Sequence, residues 1–290
     1  MQFAQLYEDT VFKLGQSGVD DARIDAVLLL EFCFGLTRTR LFLDGAKEVP
    51  SQDLERFYAI LERRLARQPL HYITGTREFW SLDFIVSPAV LVPRPETEFV
   101  LDTVLTTVKQ SGYHHGPVLD MCTGSGVIAV ILARELAADN VVAVDISVEA
   151  LLVAARNIHK FALENTIALV CSDLFTAVRE SARYEVIVVN PPYIAEAAIA
   201  GLEPEVRDWE PRAALSGGLE GWEVIEKIAA QAYRYLVPGG WLFIEIGADQ
   251  GERVKGLFTR HTSKQYEHIA VVPDWSGRSR LLQARRKGNM

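Results

Sequence analysis

The sequence predicts an α/β fold, in which a mostly parallel sheet carries helices on both faces and a small helical bundle precedes it. From residue 96 onward, short apolar runs alternate with segments of helical periodicity, the pattern typical of a parallel sheet. Residues 1–70 show helical spacing alone. We therefore expect a helical domain at 1–73, a β-hairpin linker at 74–95 and an α/β domain at 96–290.

In the first domain, apolar residues recur every three or four positions in three segments that glycine or proline closes. These predicted helices run from Phe3 to Gly15, from about Asp20 to Gly35 and from Ser51 to Pro69. We interpret Arg63, Arg64 and Arg67 as the solvent-exposed face of the third helix. In the linker, residues 82–86 alternate between apolar and polar side chains, which indicates a hairpin.

The α/β domain is predicted to place its ligand beyond the carboxyl ends of its strands, as open parallel sheets do. Strands are expected at 117–121, 141–146, 167–170, 186–189, 241–246, 269–272 and 280–284, and helices at 127–136, 148–161 and 223–236.

Composition excludes several classes of protein. The net charge is −8, and acidic side chains outnumber basic ones both before and after residue 95, so no direct nucleic-acid partner is expected. The three cysteines form no C-x-x-C pair and the six histidines have no metal-ligand spacing, which favours a reducing compartment and no metal. With neither a signal peptide nor a long apolar run, the chain is expected to be cytoplasmic and to lack a membrane span.

A glycine-rich loop follows the first predicted strand of the α/β domain. Gly124 and Gly126 allow a sharp turn and the close approach of a ligand, which a Cβ would prevent. Asp145 closes the next strand, where a carboxylate can accept both hydroxyls of a ribose. Asp120, just ahead of the glycines, favours a cationic methyl donor such as S-adenosylmethionine, because it would repel a pyrophosphate.

The loop alone leaves other functions open. Residues 124–129 also satisfy the G-x-G-x-x-A pattern of dinucleotide sites, so a nicotinamide or flavin enzyme is an alternative. A tight turn without any ligand is a second alternative, and a binding module that keeps only the donor pocket is a third.

The segment Asn190-Pro191-Pro192-Tyr193 directly follows a predicted strand and points to methylation of an amide nitrogen. An NH₂ group offers two donors, which the Asn190 side-chain oxygen and the Pro191 carbonyl can hold together. The two prolines restrict the segment, so these acceptors are fixed before substrate arrives. Positive charge grows on the nitrogen during transfer, so both acceptors would bind the transition state more strongly than the ground state. Tyr193 would provide a flat wall against the amide.

With these motifs the chain resembles the release factor N5-glutamine methyltransferases, the PrmC/HemK family. Asn-Pro-Pro-Tyr is shared with amino-methylating DNA enzymes, so an adenine-N6 nucleic-acid methyltransferase is the alternative reading. Further likeness lies in 79–82, 86–88, 91–98, 210–218, 245–247 and in Asp274, Gly277 and Arg280. The usual D-x-G-x-G-x-G loop is altered at Cys122, which fits in place of glycine if that residue keeps a negative φ.

The resemblance implies a seven-stranded Rossmann-like methyltransferase sheet and S-adenosylmethionine as donor, with S-adenosylhomocysteine as product. The implied donor contacts are Cys122, Thr123, Gly124, Ser125, Gly126, Asp145 at the ribose, Asp173 and Leu174 beside the adenine, and Asn190. The implied substrate contacts are Asn190, Pro191, Pro192 and Tyr193. The target is the glutamine of the Gly-Gly-Gln motif in class 1 peptide chain release factors, which act in translation termination, and the helical domain would bind that partner.

Overall fold

The computed structural model describes residues 1–260, 262 and 264–288. The helices are α1 (Phe3–Gln16), α2 (Ala22–Phe34), α3 (Arg38–Asp44), α4 (Ser51–Leu65), α5 (Leu70–Thr74), α6 (Pro95–Gln110), α7 (Val127–Glu135), α8 (Val148–Lys160), α9 (Pro204–Arg207), α10 (Arg212–Leu215), α11 (Glu223–Gln231) and α12 (Gly251–Arg260). The strands are β1 (Thr76–Phe79), β2 (Leu82–Ile85), β3 (Val118–Met121), β4 (Val141–Asp145), β5 (Ile167–Cys171), β6 (Tyr184–Val189), β7 (Ile194–Ala195), β8 (Ser216–Gly218), β9 (Leu236–Glu245), β10 (Tyr266–Pro273) and β11 (Ser279–Arg286).

The chain forms two compact units. The first comprises Met1–Thr76 together with Glu203–Trp209, and the second comprises Arg77–Leu202 together with the chain from Glu210 onward. The domain limits expected at 73 and 95 stay a prediction. The structure adds that a short segment from far down the chain groups with the N-terminal helices.

The first unit is a helical bundle around its own core, in which Leu6, Leu29, Leu30 and Phe57 are nearly inaccessible to solvent. Helices α1, α2 and α4 each place an apolar stripe inward, as their periodicity predicts. Helix α2 ends at Gly35, whose φ of 64° is the left-handed conformation that glycine adopts at the end of a helix.

A buried ionic network also holds this unit together. The Arg64 side chain, 6% exposed, donates to Asp25 at 2.6 Å and to Glu205 at 2.9 Å. Arg67 donates to both oxygens of Glu205, at 2.7 and 2.6 Å. The interpretation of these arginines as a solvent-exposed face is therefore wrong for Arg64 and Arg67. A guanidinium needs several acceptors when it is buried. Here α2 supplies Asp25, and a distant segment supplies Glu205.

The second unit is built on a seven-stranded sheet of order β10-β11-β9-β6-β3-β4-β5, which confirms the expected fold class. Neighbouring strands from β9 to β5 run parallel, whereas β11 lies antiparallel to both β9 and β10. Strand order reverses at β3, because β4 lies on one side of it and β6 on the other. Such a switch point opens a crevice at the carboxyl ends of the strands.

Alternate residues of the central strands supply two cores, one on each face of the sheet. Val118, Val186 and Val188 face the core that contains α6, α7 and α8. Leu119 and Ile187 face the core that contains α11 and α12. The two-residue period of a strand produces this division, and it explains why the parallel strands are almost wholly apolar.

Some elements differ from the sequence prediction. The helix expected at 223–236 ends at Gln231, and Leu236 begins β9 by pairing with Tyr184. A continuous apolar run looks the same whether it continues a helix or enters a buried strand. Helices α3 and α5 were not predicted, because α3 buries no residue and α5 has only five residues. Among the described helices, none combines the length and apolarity that crossing a bilayer requires.

Candidate functional site

A pocket of about 300 Å³ opens at the carboxyl ends of β3, β4, β5 and β6, within the second unit. Four sequence-distant segments meet there, since parallel strands that share a sheet end at the same edge. Its walls are formed by Ala89, Val90, Leu91, Pro93, Arg94, Thr97, Met121, Cys122, Thr123, Gly124, Ser125, Val127, Ile128, Val144, Asp145, Ile146, Ser147, Ala150, Ser172, Asp173, Leu174, Asn190, Pro192, Pro211, Ala213, Ala214, Ser216, Val224 and Lys227.

The glycine loop turns tightly between β3 and α7. Gly124 and Gly126 have φ values of 56° and 82°, which only glycine adopts without strain. A Cβ at Gly126 would lie 3.2 Å from the Ala154 side chain, so the loop also requires a small residue there. Gly124 lines the pocket. Gly126 does not line it and is the N-cap residue of α7, the helix that follows the loop.

Asp120 braces this loop from beneath and does not line the pocket. Its carboxyl group is fully buried and accepts hydrogen bonds from the Thr123 hydroxyl at 2.5 Å and the Ala129 N–H at 3.0 Å. Burial raises the pKa of Asp120 to about 7, although both hydrogen bonds oppose the shift. The position of Asp120 therefore favours a role in shaping the loop over direct contact with a cationic donor.

Cys122 occupies the left-handed region, with a φ of 63°. The condition of a negative φ at this residue is therefore wrong. A side chain in that region costs roughly 1–2 kcal/mol, which the surrounding loop must offset. Burial raises the pKa of the Cys122 thiol, with Asp145 and Asp120 acting in the same direction, so the sulfur stays protonated and unreactive.

Asp145 joins the end of β4 to the glycine loop. One carboxylate oxygen accepts from the Gly124 N–H at 2.8 Å, and the other accepts from the Ser147 N–H at 2.9 Å. Each oxygen keeps a further lone pair, so the group can still accept two hydroxyls side by side in the pocket. This geometry fits the ribose of a nucleoside ligand.

The end of β5 supplies the next part of the wall. Ser172 is buried, and its hydroxyl accepts from the Ala177 N–H at 2.9 Å, which fixes the turn that follows. Asp173 is exposed at the pocket wall, and Leu174 has a φ of 48°. An acceptor beside an apolar side chain suits an adenine, which has an exocyclic amine and a flat apolar face.

The Asn190–Tyr193 segment leaves β6 at the same edge. Asn190 and Pro192 line the pocket, while Pro191 is buried and Tyr193 is half-buried, and neither of these two belongs to the pocket wall. Burial raises the pKa of Tyr193 to about 12, and nearby Glu245 adds to that effect, so the phenol keeps its proton. The predicted motif therefore shares a pocket with the glycine loop, and Asn190 and Pro192 are the motif residues that line it.

Arg94 also lines the pocket. Its guanidinium donates to both oxygens of Glu210 at 2.7 Å, and Glu210 is only 6% exposed. Burial raises the pKa of Glu210, and Arg94 counteracts that rise. Pro95 opens α6 directly after Arg94, so one ion pair connects the start of α6 to the segment that returns at residue 210.

Of the predicted donor residues, Cys122, Thr123, Gly124, Ser125, Asp145, Asp173, Leu174 and Asn190 all line one pocket. The linker residues Ala89–Leu91 and the stretch from Pro211 to Ser216 were missed as pocket residues, although both carried motif-like sequence. Proline-rich and small-residue stretches give no local sign of which cavity they face. Within the described ranges, no group of three or more His, Cys, Asp or Glu side chains is arranged to hold a metal ion.

Comparison with known proteins gives two family models and a set of close relatives. Residues 5–75 match the model of the PrmC N-terminal domain, and residues 97–202 match the methyltransferase small domain. The chain is 41% identical over 247 residues to the release factor glutamine methyltransferase of Geobacter sulfurreducens, covering 85% of this chain and 84% of the relative. It is 39% identical over 287 residues to the protein of the same name from Moorella thermoacetica, covering 99% of each chain.

Among solved structures, a methyltransferase from Pyrococcus furiosus resembles this chain with a TM-score of 0.53 and 18% identity. The match covers 81% of this chain and 99% of that structure. At this level of identity the likeness concerns the fold alone, and it agrees with the seven-stranded sheet.

Proposed function

Because the chain belongs to the family of release factor glutamine methyltransferases, we propose that it methylates the side-chain amide nitrogen (N5) of a glutamine in a protein. The donor is S-adenosylmethionine, and the target is the glutamine of the Gly-Gly-Gln motif in class 1 peptide chain release factors. One observation carries the proposal: Asn190 lines the same pocket as the glycine loop and Asp145. A nucleoside site and an amide-binding motif thus share one cavity.

The residues of the pocket fit the donor. Asp145 presents two carboxylate oxygens with free lone pairs, which suit the ribose hydroxyls. Asp173 and Leu174 provide a polar and an apolar contact for the adenine. When bound, S-adenosylmethionine supplies an electrophilic methyl group on a sulfonium.

The Asn190–Tyr193 segment holds the amide. The Asn190 side-chain oxygen and the Pro191 carbonyl accept its two N–H bonds and turn the nitrogen lone pair toward the donor. Charge that develops on the nitrogen strengthens both hydrogen bonds, so the segment stabilises the transition state more than the ground state. The methylated nitrogen then loses a proton to water, because a protonated amide is strongly acidic.

The first test is chemical. The full-length enzyme is incubated with a class 1 release factor and S-adenosylmethionine, and the Gly-Gly-Gln peptide is analysed by mass spectrometry. We expect a single added methyl group on the glutamine side chain. An unmodified peptide, together with methylation of a duplex or single-stranded DNA in a parallel reaction, would favour an adenine-N6 methyltransferase instead. The net charge of −8 argues against that outcome.

The second test is the Asn190→Ala variant. Removing one of two fixed acceptors should lower kcat about 10²-fold, whereas the Kd of the donor measured by calorimetry should change far less. Asn165→Ala, at an exposed asparagine in a turn, is the matched control and should keep wild-type kcat. Equal turnover of Asn190→Ala and wild type would refute the role of Asn190. The proposed reaction is cytoplasmic, because release factors act on ribosomes there.

A further inference from the structure

Three separate backbone segments meet at the side chain of Gln250, close to the amide-binding motif. Its Nε2 donates to the carbonyl of Tyr193 at 2.8 Å and to the carbonyl of Gly221 at 3.0 Å. Its Oε1 accepts from the N–H of Gly247 at 2.9 Å. Both amide hydrogens and the amide oxygen are thus used by backbone groups, and Tyr193 is the last residue of the motif.

The motif needs such an anchor because its two central residues have no backbone hydrogen-bond donor. Pro191 and Pro192 have no N–H, so no backbone donor can fix the chain between Asn190 and Tyr193. On the upstream side, Val189 is held in the sheet, where it pairs with Ile244 of β9. On the downstream side, the hydrogen bond from Gln250 fixes the Tyr193 carbonyl.

Two glycines, one in β8 and one in the loop that follows it, pack closely against the same segment. A Cβ at Gly221 would lie 2.7 Å from the Tyr193 carbonyl oxygen and 2.6 Å from the Ala195 nitrogen. A Cβ at Gly217 would lie 2.8 Å from the Pro192 oxygen. Strand β8 and the loop that follows it therefore contact the motif backbone to backbone, and Gln250 joins this loop to the motif through Gly221 and Tyr193.

We infer that Gln250 is a positioning residue for methyl transfer, which holds Asn190–Tyr193 in register with the donor by fixing the downstream end of the segment. This inference rests on the proposed function. Gln250 itself does not line the pocket and so acts through the backbone of Tyr193. Misplacing reacting groups by about 1 Å can cost 10²-fold in rate, so a small shift of the acceptors suffices to slow transfer.

Two variants separate positioning from folding. Gln250→Leu removes all three hydrogen bonds. Gln250→Glu keeps the size of the side chain and its acceptor for the Gly247 N–H, but at neutral pH it removes both donors. The matched control is Gln231→Leu, because the Gln231 amide donates to the Lys227 carbonyl at 3.2 Å inside its own helix. Each full-length protein is assayed for kcat and KM with the release factor, and for the Kd of S-adenosylmethionine.

For both Gln250 variants we expect kcat to fall about tenfold or more, while KM and the donor Kd stay within about twofold of wild type. Gln231→Leu should keep wild-type kcat. If Gln250→Leu fails to fold, the positioning role is tested with Gln250→Glu alone. Wild-type kcat in Gln250→Glu, or a donor affinity that weakens in step with kcat, would overturn the inference. A wild-type enzyme that leaves the release factor unmodified would instead refute the proposed function, so the two failures are distinct.

Discussion

Glu245 is a buried carboxyl group at the end of a strand, and folding changes its pKa. It closes β9, is 2% exposed, and accepts a hydrogen bond from the Thr97 hydroxyl at 2.8 Å. Burial raises its pKa to about 7, while the Thr97 hydrogen bond and the charge of Arg280 oppose the rise. The folded protein therefore prefers the neutral acid, whereas the unfolded chain ionises near the ordinary value of 4.5.

This preference predicts that stability depends on pH. Between about pH 4.5 and 7 the folded state binds more protons than the unfolded chain, so the free energy of unfolding falls as the pH rises and levels off above 7. Glu245 accounts for a fall in the free energy of unfolding on the order of 3 kcal/mol over this pH range. Asp120, whose pKa is also raised to about 7, acts in the same direction.

The measurement is urea unfolding at pH 5 and pH 8. Glu245→Gln keeps an acceptor for Thr97 but cannot ionise, so its loss of stability between the two pH values should be smaller than that of wild type. Glu252→Gln, at an exposed residue of α12, is the control and should follow wild type. Identical pH dependence in all three proteins would contradict the assignment to Glu245.

At the level of single residues, the sequence predicted those groups whose residue type and position indicate a role. The glycines of the loop, Asp145 and Asn190 were predicted from residue type and from position after a strand, and all but Gly126 line the pocket. Gln250 was not predicted, because a glutamine after a strand has no local signal. Its three partners lie in separate segments and become neighbours only in the fold.

Among the elements, α4 and α9 show how far apart the parts of one network can lie in sequence. Arg64 on α4 pairs with Asp25 of α2 and with Glu205 of α9. Desolvation raises the pKa of Asp25 and outweighs the opposing effect of Arg64. The pKa of Glu205 is lowered, because its bonds to Arg67 and Arg64 outweigh desolvation.

Breaking this network should destabilise the first unit. Arg64→Leu leaves the buried Asp25 carboxylate without its cation and removes one hydrogen bond of Glu205, which keeps Arg67 as a partner. Removing one partner of a buried ion pair typically costs about 3–5 kcal/mol. Arg63→Leu is the matched control, because Arg63 is exposed on the same helix and its change should cost under about 1 kcal/mol. Urea unfolding of both full-length variants provides the comparison. Equal stability of the two would show that the buried pairs add nothing to the fold.

Helix periodicity could not reveal this network. Apolar spacing predicted α1, α2 and α4 and their inward faces, because burial of a stripe is a property of one helix. Whether a charged residue at the edge of that stripe faces water depends on what covers it. Here the cover comes from residues 203–209, which lie far from these helices in the sequence.

Across the whole molecule, the pocket is a consequence of strand order. The ends of β3, β4, β5 and β6 meet because these strands run parallel and adjacent, so a pattern of alternating strands and helices was enough to predict the shared edge. The part of the pocket wall that lies outside the strand ends could not be predicted in the same way. It comes from Arg94 and from residues 211–216, whose positions depend on tertiary packing and the buried Glu210.

Because many segments form the pocket, binding of its ligand should stabilise the folded protein. At about 100 times its Kd, S-adenosylmethionine should add about 2.7 kcal/mol to the free energy of unfolding. Thermal unfolding with the donor, with NAD and without ligand tests this expectation. NAD should have no effect, and Asp145→Ala should lose most of the shift produced by the donor. A larger shift with NAD than with the donor would instead support the alternative that the glycine loop belongs to a dinucleotide-dependent enzyme.

The grouping of residues 203–209 with the N-terminal helices has a consequence for biosynthesis. A ribosome releases the first 76 residues long before it makes Glu205, so Arg64 and Arg67 leave the exit tunnel without that carboxylate. By the time Glu205 emerges, the strands β3 to β6 and the segment Asn190–Tyr193 have already been translated. The N-terminal bundle therefore reaches its final set of ion pairs only after residues 190–193 have been made, although its helices are translated before the strands of the sheet.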